Sequence, residues 1–140
     1  MPMQTATSTE TSEREKITAA ALDYMESWYS GEAFRMERAL HPELAKRAYL
    51  PGSDGKPEIS RLTAPELIER VRAGRGRSET DHRAEVQILD IFGRAASVRA
   101  RMSGWVDYMH LTKIGDDWKI INVLWELTPE RWAERGGKPR

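Results

Sequence analysis

The sequence predicts an α+β protein, in which three N-terminal helices pack against a mostly antiparallel sheet. Apolar residues recur at helical spacing in the first half of the chain. Residues 84–127 instead form four segments of strand length that are separated by short glycine-containing turns. The segment over residues 96–103 alternates apolar and polar side chains, which is typical of a strand with one face buried.

The first predicted helix begins at Ser12, because Ser12 and Glu15 have the spacing of a capping box. It ends at Gly31, since glycine tolerates the left-handed backbone that closes many helices. A short second helix is predicted over residues 32–40. Pro42 then suits the first position of a further helical turn.

A second capping box, formed by Thr63 and Glu66, predicts the start of the third helix. Before it, residues 49–51 and 59–62 flank a segment rich in Gly, Asp and Pro. This composition indicates a turn, so the two flanking segments are candidates for a small hairpin.

Composition excludes several classes of function. Lys plus Arg and Asp plus Glu both number 22, so no basic excess points to nucleic acid. The chain has no cysteine, which rules out a disulfide, a thiol nucleophile and a cysteine-based zinc site. Its three histidines are scattered, so we predict no metal site and no cofactor. We find neither a membrane-spanning run nor a signal peptide and expect a cytoplasmic protein.

At 140 residues, the chain is long enough for one core and too short for two. We expect a disordered N-terminal tail over residues 1–12, a domain over residues 13–132, and a C-terminal tail over residues 133–140. The central strands carry large apolar side chains on both faces. Helices can cover one face and a second copy of the chain the other, so we predict a homodimer through the sheet.

Three stretches of the chain carry a resemblance to a known family. They are His41-Pro42, Asp107-Tyr108-Met109 and the run GDDWKIIN over residues 115–122. With the order of helices and strands, they resemble the nuclear transport factor 2-like superfamily over about residues 13–127. Within it, the chain is most similar to the family labelled putative lumazine-binding. The resemblance implies a cone-shaped, cystatin-like fold that encloses a deep, largely apolar cavity, in dimers joined through their sheets.

The superfamily also contains ketosteroid isomerase, which suggests an enzyme as an alternative. Tyr24 occupies the place of the isomerase tyrosine that donates a hydrogen bond to a developing oxyanion. Counting along the chain, the positions of the two isomerase acids fall on residues that are not carboxylates, which disfavours that mechanism. A cyclase, isomerase or dehydratase would use Asp107 or His110 as general base, with Tyr24 as hydrogen-bond donor.

The register of the strand over residues 105–114 decides which side chains face the cavity, because neighbours alternate between faces. One set contains Asp107, Met109 and Leu111, and the other contains Tyr108, His110 and Thr112. We expect the first set inside because it is more apolar. Burial would then raise the pKa of the Asp107 carboxyl group. The alternative is a structural carboxylate, held by Arg101 or by a neighbouring backbone group.

The favoured function is binding of an apolar or heteroaromatic small molecule. The residues expected to bind it are Trp28, His41, Arg47, Tyr49, Met102, Trp105, Met109 and Asn122. Trp28, Trp105 and Trp125 could stack on a flat ligand. His41 could cap the turn after it, the role we favour, or lie with Arg47 at the cavity mouth and attract an acidic ligand. A third possibility is a structural module whose cavity is plugged by its own aromatic side chains.

Overall fold

The computed structural model describes residues 7–138. The elements, in chain order, are α1 (Ser8–Ser30), α2 (Ala33–Ala39), β1 (Leu40–Pro51), β2 (Pro57–Thr63), α3 (Ala64–Arg72), a 3₁₀ helix (Arg75–Ser78), β3 (Glu85–Phe92), β4 (Ala95–Arg101), β5 (Trp105–Ile114), β6 (Asp117–Leu127) and α4 (Pro129–Glu134). The strands form one curved sheet in the order β2-β1-β6-β5-β4-β3. All neighbours are antiparallel except β1 and β6, which are parallel. The predicted α+β fold is confirmed.

Helix α1 begins earlier than the sequence predicts. The Thr7 side chain accepts a hydrogen bond from the backbone N–H of Glu10 at 3.0 Å, so Thr7 is the N-cap and Ser12 lies inside the helix. The start predicted at Ser12 is therefore wrong, and residues 8–12 are helical. The first six residues of the predicted tail over residues 1–12 lie outside the described residues. The end of α1 is as predicted, because Gly31 adopts a left-handed φ of 81°.

Strand β1 is the main departure from the predicted elements. The sequence predicts a helical turn after Pro42, but Leu40–Pro51 is one extended strand. Leu44, Lys46 and Ala48 are buried, whereas Arg47 and its alternate neighbours face the solvent, so the period is two. Pro42 lies where the pairing with β6 is irregular, and a proline without an N–H is tolerated at such a position.

The pairing of β1 extends the sheet beyond the four predicted strands. β1 and β2 form the hairpin that the sequence suggests, and α3 follows directly from a capping box of Thr63 and Glu66, as predicted. Strand β1 then lies parallel to β6, with Lys46 opposite Val123. Residues paired in register share a face of the sheet, so the buried residues of β1 point towards the helices.

The core lies between the helices and the inner face of the sheet. Ile17 and Met25 of α1 are fully buried, as are Val98 of β4 and Ile120 of β6. Burying each such side chain contributes roughly 1.5–3 kcal/mol to folding. Asp107 is buried too, so the predicted register of β5 is confirmed. Within residues 7–138, no helix is both long enough and apolar enough to cross a membrane.

Candidate ligand pocket

A pocket of about 310 Å³ opens at one end of the inner face, where α1, β1, β2, α3, the 3₁₀ helix, β5, β6 and α4 converge. Two wider depressions, of about 520 and 580 Å³, are open grooves between α1 and β3. Binding sites are usually concave and combine apolar walls with a few converging polar groups. The smaller pocket has this character, and we therefore take it as the candidate site.

Three tryptophans from three elements form one wall of this pocket. Trp28 lies near the end of α1, Trp105 begins β5, and Trp125 lies near the end of β6. Trp105 stands between the other two and makes an edge-on contact with each. Its ring centroid lies 6.4 Å from that of Trp28 and 6.2 Å from that of Trp125. Trp125 is opposite Asp107, so Trp105 and Trp125 are diagonal neighbours on the inner face.

Lys46 lies at the inner end of the pocket in a cage of aromatic rings. The residue is 7% exposed, and its Nζ donates a hydrogen bond to the Tyr24 hydroxyl. Nζ is also 5.0 Å from the ring centroid of Tyr24, 5.3 Å from Trp125 and 5.9 Å from Trp28. Such distances allow cation–π attraction, which partly replaces the water that the ammonium has lost.

Behind Lys46 lie two further titratable groups. Asp107 is fully buried, and its Oδ2 accepts a hydrogen bond from Trp105 Nε1 at 3.1 Å. Its other oxygen, Oδ1, has no hydrogen-bond partner among the described residues. Burial raises the pKa of Asp107, and the charge of Lys46 opposes the rise. Burial, and then the charge of Asp107, raises the pKa of Tyr24 well above its usual range.

Of these three groups, only Lys46 is part of the pocket wall. Burial lowers the pKa of its ammonium group, the carboxylate of Asp107 opposes that effect, and Arg70 adds to it. A general base must come within hydrogen-bond reach of the substrate, directly or through one water. Asp107 and Tyr24 are not part of the pocket wall, so a ligand in the pocket would contact Lys46 and neither of these two residues.

We expect the Lys46 ammonium to titrate below its ordinary pKa of 10.5, and Asp107→Asn to lower its pKa further. The reason is that Asp107 carries the negative charge that favours the protonated lysine. Because the folded pKa is lower than the unfolded one, protonated Lys46 costs stability at low pH. That cost disappears as the pH rises from the folded pKa towards the unfolded one.

NMR of the lysine Nζ groups would measure this titration in both proteins. Asp90→Asn, at an exposed acid on β3, is the matched control and should leave the Lys46 titration unchanged. A Lys46 pKa that rises in Asp107→Asn would contradict the assigned interaction.

Arginines complete the pocket. Arg131 donates two hydrogen bonds to Glu79, at 2.6 and 3.0 Å, and its guanidinium lies 5.8 Å from the ring centroid of Trp105. Arg70, Arg75 and Arg135 are exposed at the rim. None of these three forms an ion pair with a described residue. The rim is therefore cationic, with its carboxylate, Glu79, already bound to Arg131.

The ligand-binding residues predicted from the sequence divide into three groups. Trp28 and Trp105 line the pocket. Met102 and Met109 are buried in the hydrophobic core instead. His41 is partly exposed, and its Nδ1 accepts a hydrogen bond from the backbone N–H of Glu43 at 3.0 Å. The predicted role as a cap is wrong, because residues 40–51 form a strand and no helical turn follows His41.

The third group lies on the outer face of the sheet and does not contribute to the pocket. Arg47 and Tyr49 are there because residues 40–51 form a strand, in which they alternate with the buried residues. His110 and Asn122 are paired across β5 and β6 and are both exposed. A register shift beside this pair places Asn122 on the outer face, which the sequence pattern does not show. Arg47, Tyr49 and Asn122 are therefore misplaced in the sequence-based site, whereas His110 lies outside, as the favoured register of β5 predicts.

The sequence-based site contains none of the charged residues that line the pocket. Lys46 escapes the prediction because Pro42 favours a helical turn in this segment, although Leu44, Lys46 and Ala48 have strand spacing. Arg131 and Arg135 come from a short C-terminal helix and its end, where the sequence carries no signal that they fold back on the sheet.

A curved sheet roofed by helices, with a pocket at one end, defines the nuclear transport factor 2-like class of proteins. The model of the family described as "Putative lumazine-binding" matches residues 12–126. The chain therefore belongs to this family. No curated protein matches the chain.

Solved structures agree on the fold. An NTF2-like protein of unknown function from Shewanella baltica OS155 is 20% identical, with a TM-score of 0.66 over 89% of this chain and 99% of its own. A similar protein of unknown function from Silicibacter pomeroyi DSS-3 is 18% identical, with a TM-score of 0.66 over 84% of this chain and 98% of its own. A protein with a cystatin-like fold from Nostoc punctiforme is 13% identical, with a TM-score of 0.60 over 90% of this chain and 96% of its own. These likenesses concern the fold alone.

Proposed function

We propose that this protein binds a flat heteroaromatic small molecule in the tryptophan-lined pocket. The observation that carries the proposal is the convergence of Trp28, Trp105 and Trp125 on one pocket of about 310 Å³. Stacking of a heteroaromatic ring on an aromatic side chain is worth about 1–3 kcal/mol. The family description, which refers to lumazine, a heteroaromatic bicycle, supports the same ligand class.

Binding is favoured over catalysis by the positions of Asp107 and Tyr24. As general base and hydrogen-bond donor, these two residues would have to contact a substrate. Asp107 is instead fully buried and bonded to Trp105, and the Tyr24 hydroxyl accepts from Lys46. The lysine thus stands between them and the pocket.

A homodimer through the outer face of the sheet is part of the proposal, as is a cytoplasmic location. The outer face carries exposed apolar side chains near its centre, with Leu124 60% and Tyr108 44% exposed. Leu124 and Tyr108 are paired in register on adjacent strands, so they form a continuous apolar surface. Such a surface is typical of an interaction site.

Isothermal titration calorimetry with lumazine tests the proposed ligand class. We expect saturable binding with one site per chain. A saturated bicyclic urea of similar size is the control ligand, because it offers similar polar groups without a π-face, and it should bind far more weakly. The proposal would be contradicted if lumazine, a purine and a flavin all gave no saturable heat.

A further inference from the structure

The charge of the pocket is unbalanced. Its lining contains several cationic side chains and a single carboxylate: Lys46, Arg70, Arg75, Arg131, Arg135 and Glu79. The carboxylate is already engaged, because both oxygens of Glu79 accept hydrogen bonds from Arg131. The pocket as a whole is therefore positively charged where a ligand would enter.

The cations lie at two depths. Lys46 is at the inner end, where its hydrogen-bond acceptor is the neutral hydroxyl of Tyr24 and the nearest carboxylate, Asp107, lies behind it and outside the pocket wall. Arg70, Arg75 and Arg135 stand at the rim without an ion-pair partner among the described residues. Arg70 is close enough for its charge to disfavour protonation of Lys46. An anion between the two would relieve this repulsion.

We infer that the natural ligand is an acid, a heteroaromatic ring with a carboxylate that is held between Lys46 and the rim arginine Arg70. The inference rests on the proposed function, since the tryptophan wall holds the ring. A pocket of about 310 Å³ is small within the roughly 300–1,000 Å³ of known ligand sites, which favours a compact acid group over a phosphorylated side chain.

The physical reason for selectivity is that Lys46 and Arg70 have no anion between them inside the pocket unless the ligand supplies one. A carboxylate accepts charge-assisted hydrogen bonds, which are roughly twice as strong as neutral ones. A carboxamide of the same shape offers one acceptor and two donors, and the donors would face ammonium and guanidinium groups. The pocket should therefore distinguish an acid from its amide.

The matched ligands are lumazine-6-carboxylate and lumazine-6-carboxamide, compared by isothermal titration calorimetry at fixed ionic strength. We expect the acid to bind at least tenfold more tightly than the amide. Arg70→Gln and Lys46→Met should each reduce the ratio of the two affinities to about threefold or less. Arg70 is exposed, so its variant keeps the test valid even if Lys46→Met fails to fold.

The control is Arg61→Gln. Arg61 lies on β2 between the pocket residues Ser60 and Leu62, but it is exposed on the other face. This variant has the same change in net charge and should retain the preference for the acid. The inference would be overturned if the unmodified protein bound acid and amide equally well, or if Arg61→Gln and Arg70→Gln lost the preference for the acid to the same extent. Either result would leave the proposed function standing. Failure of both ligands and of lumazine itself to bind would overturn both.

Discussion

Trp125→Ala is expected to lower the affinity for a heteroaromatic ligand about tenfold to hundredfold, as the loss of one stacking surface does. Trp125 is only partly buried, so its removal should leave the fold intact. The same change removes a ring that lies 5.3 Å from Lys46 Nζ and 6.0 Å from the Arg135 guanidinium. Calorimetry with lumazine measures the loss directly, and Trp125→Phe should restore most of the affinity.

Trp118→Phe is the matched control on the same strand. Trp118 is 4% exposed, and its Nε1 donates a hydrogen bond to Glu13 of α1, away from the pocket. Its replacement should lower the stability of the protein and leave ligand affinity unchanged. If Trp125→Ala bound lumazine as well as the unmodified protein did, the tryptophan wall would not be the binding surface.

Gly76→Ala is expected to destabilise the fold by about 3 kcal/mol or more, the upper end of the cost of overpacking. A Cβ atom at Gly76 would lie 2.0 Å from the backbone oxygen of Trp28 and 2.7 Å from its Cδ1. The backbone itself would have to move, because the nearest atom is not the flexible end of a side chain. The 3₁₀ helix can pack against the end of α1 only with glycine at this position.

Urea unfolding of Gly76→Ala and of the control Gly93→Ala measures this cost. Gly93 has a left-handed φ of 58°, and a Cβ atom there would meet nothing within 4 Å. Its replacement should therefore cost only the roughly 1–2 kcal/mol of that backbone conformation. If the two variants unfolded at the same urea concentration, the contact between Gly76 and Trp28 would not be part of the folded protein.

Much of the fold follows from local sequence signals. Thr63 and Glu66 specify the start of α3 through side-chain hydrogen bonds within four residues, so that element is predictable. The face of β5 follows from alternation, since the more apolar set with Asp107 is inside. Strand β1 is not predictable in this way, because a proline such as Pro42 is typical of the first turn of a helix. In addition, β1 pairs in parallel with β6, which is distant in sequence.

The site was only half predictable for a similar reason. The pattern of apolar and aromatic residues indicates which tryptophans point inward, and Trp28 and Trp105 do line the pocket. The charged half depends on elements that are far apart in the chain. Lys46 is placed by a long-range strand pairing, and Arg131 by an ion pair with Glu79 across 52 positions. Periodicity within one element cannot reveal either contact.

The most direct test of the tryptophan pocket is an NMR titration of the five indole N–H signals with lumazine. The signals of Trp28, Trp105 and Trp125 should shift together and saturate at one ligand per chain, because these rings form the wall. Those of Trp118 and Trp132 should stay in place, since their N–H groups are bonded to Glu13 and Lys138 outside it. Shifts confined to Trp118 and Trp132 would contradict the account.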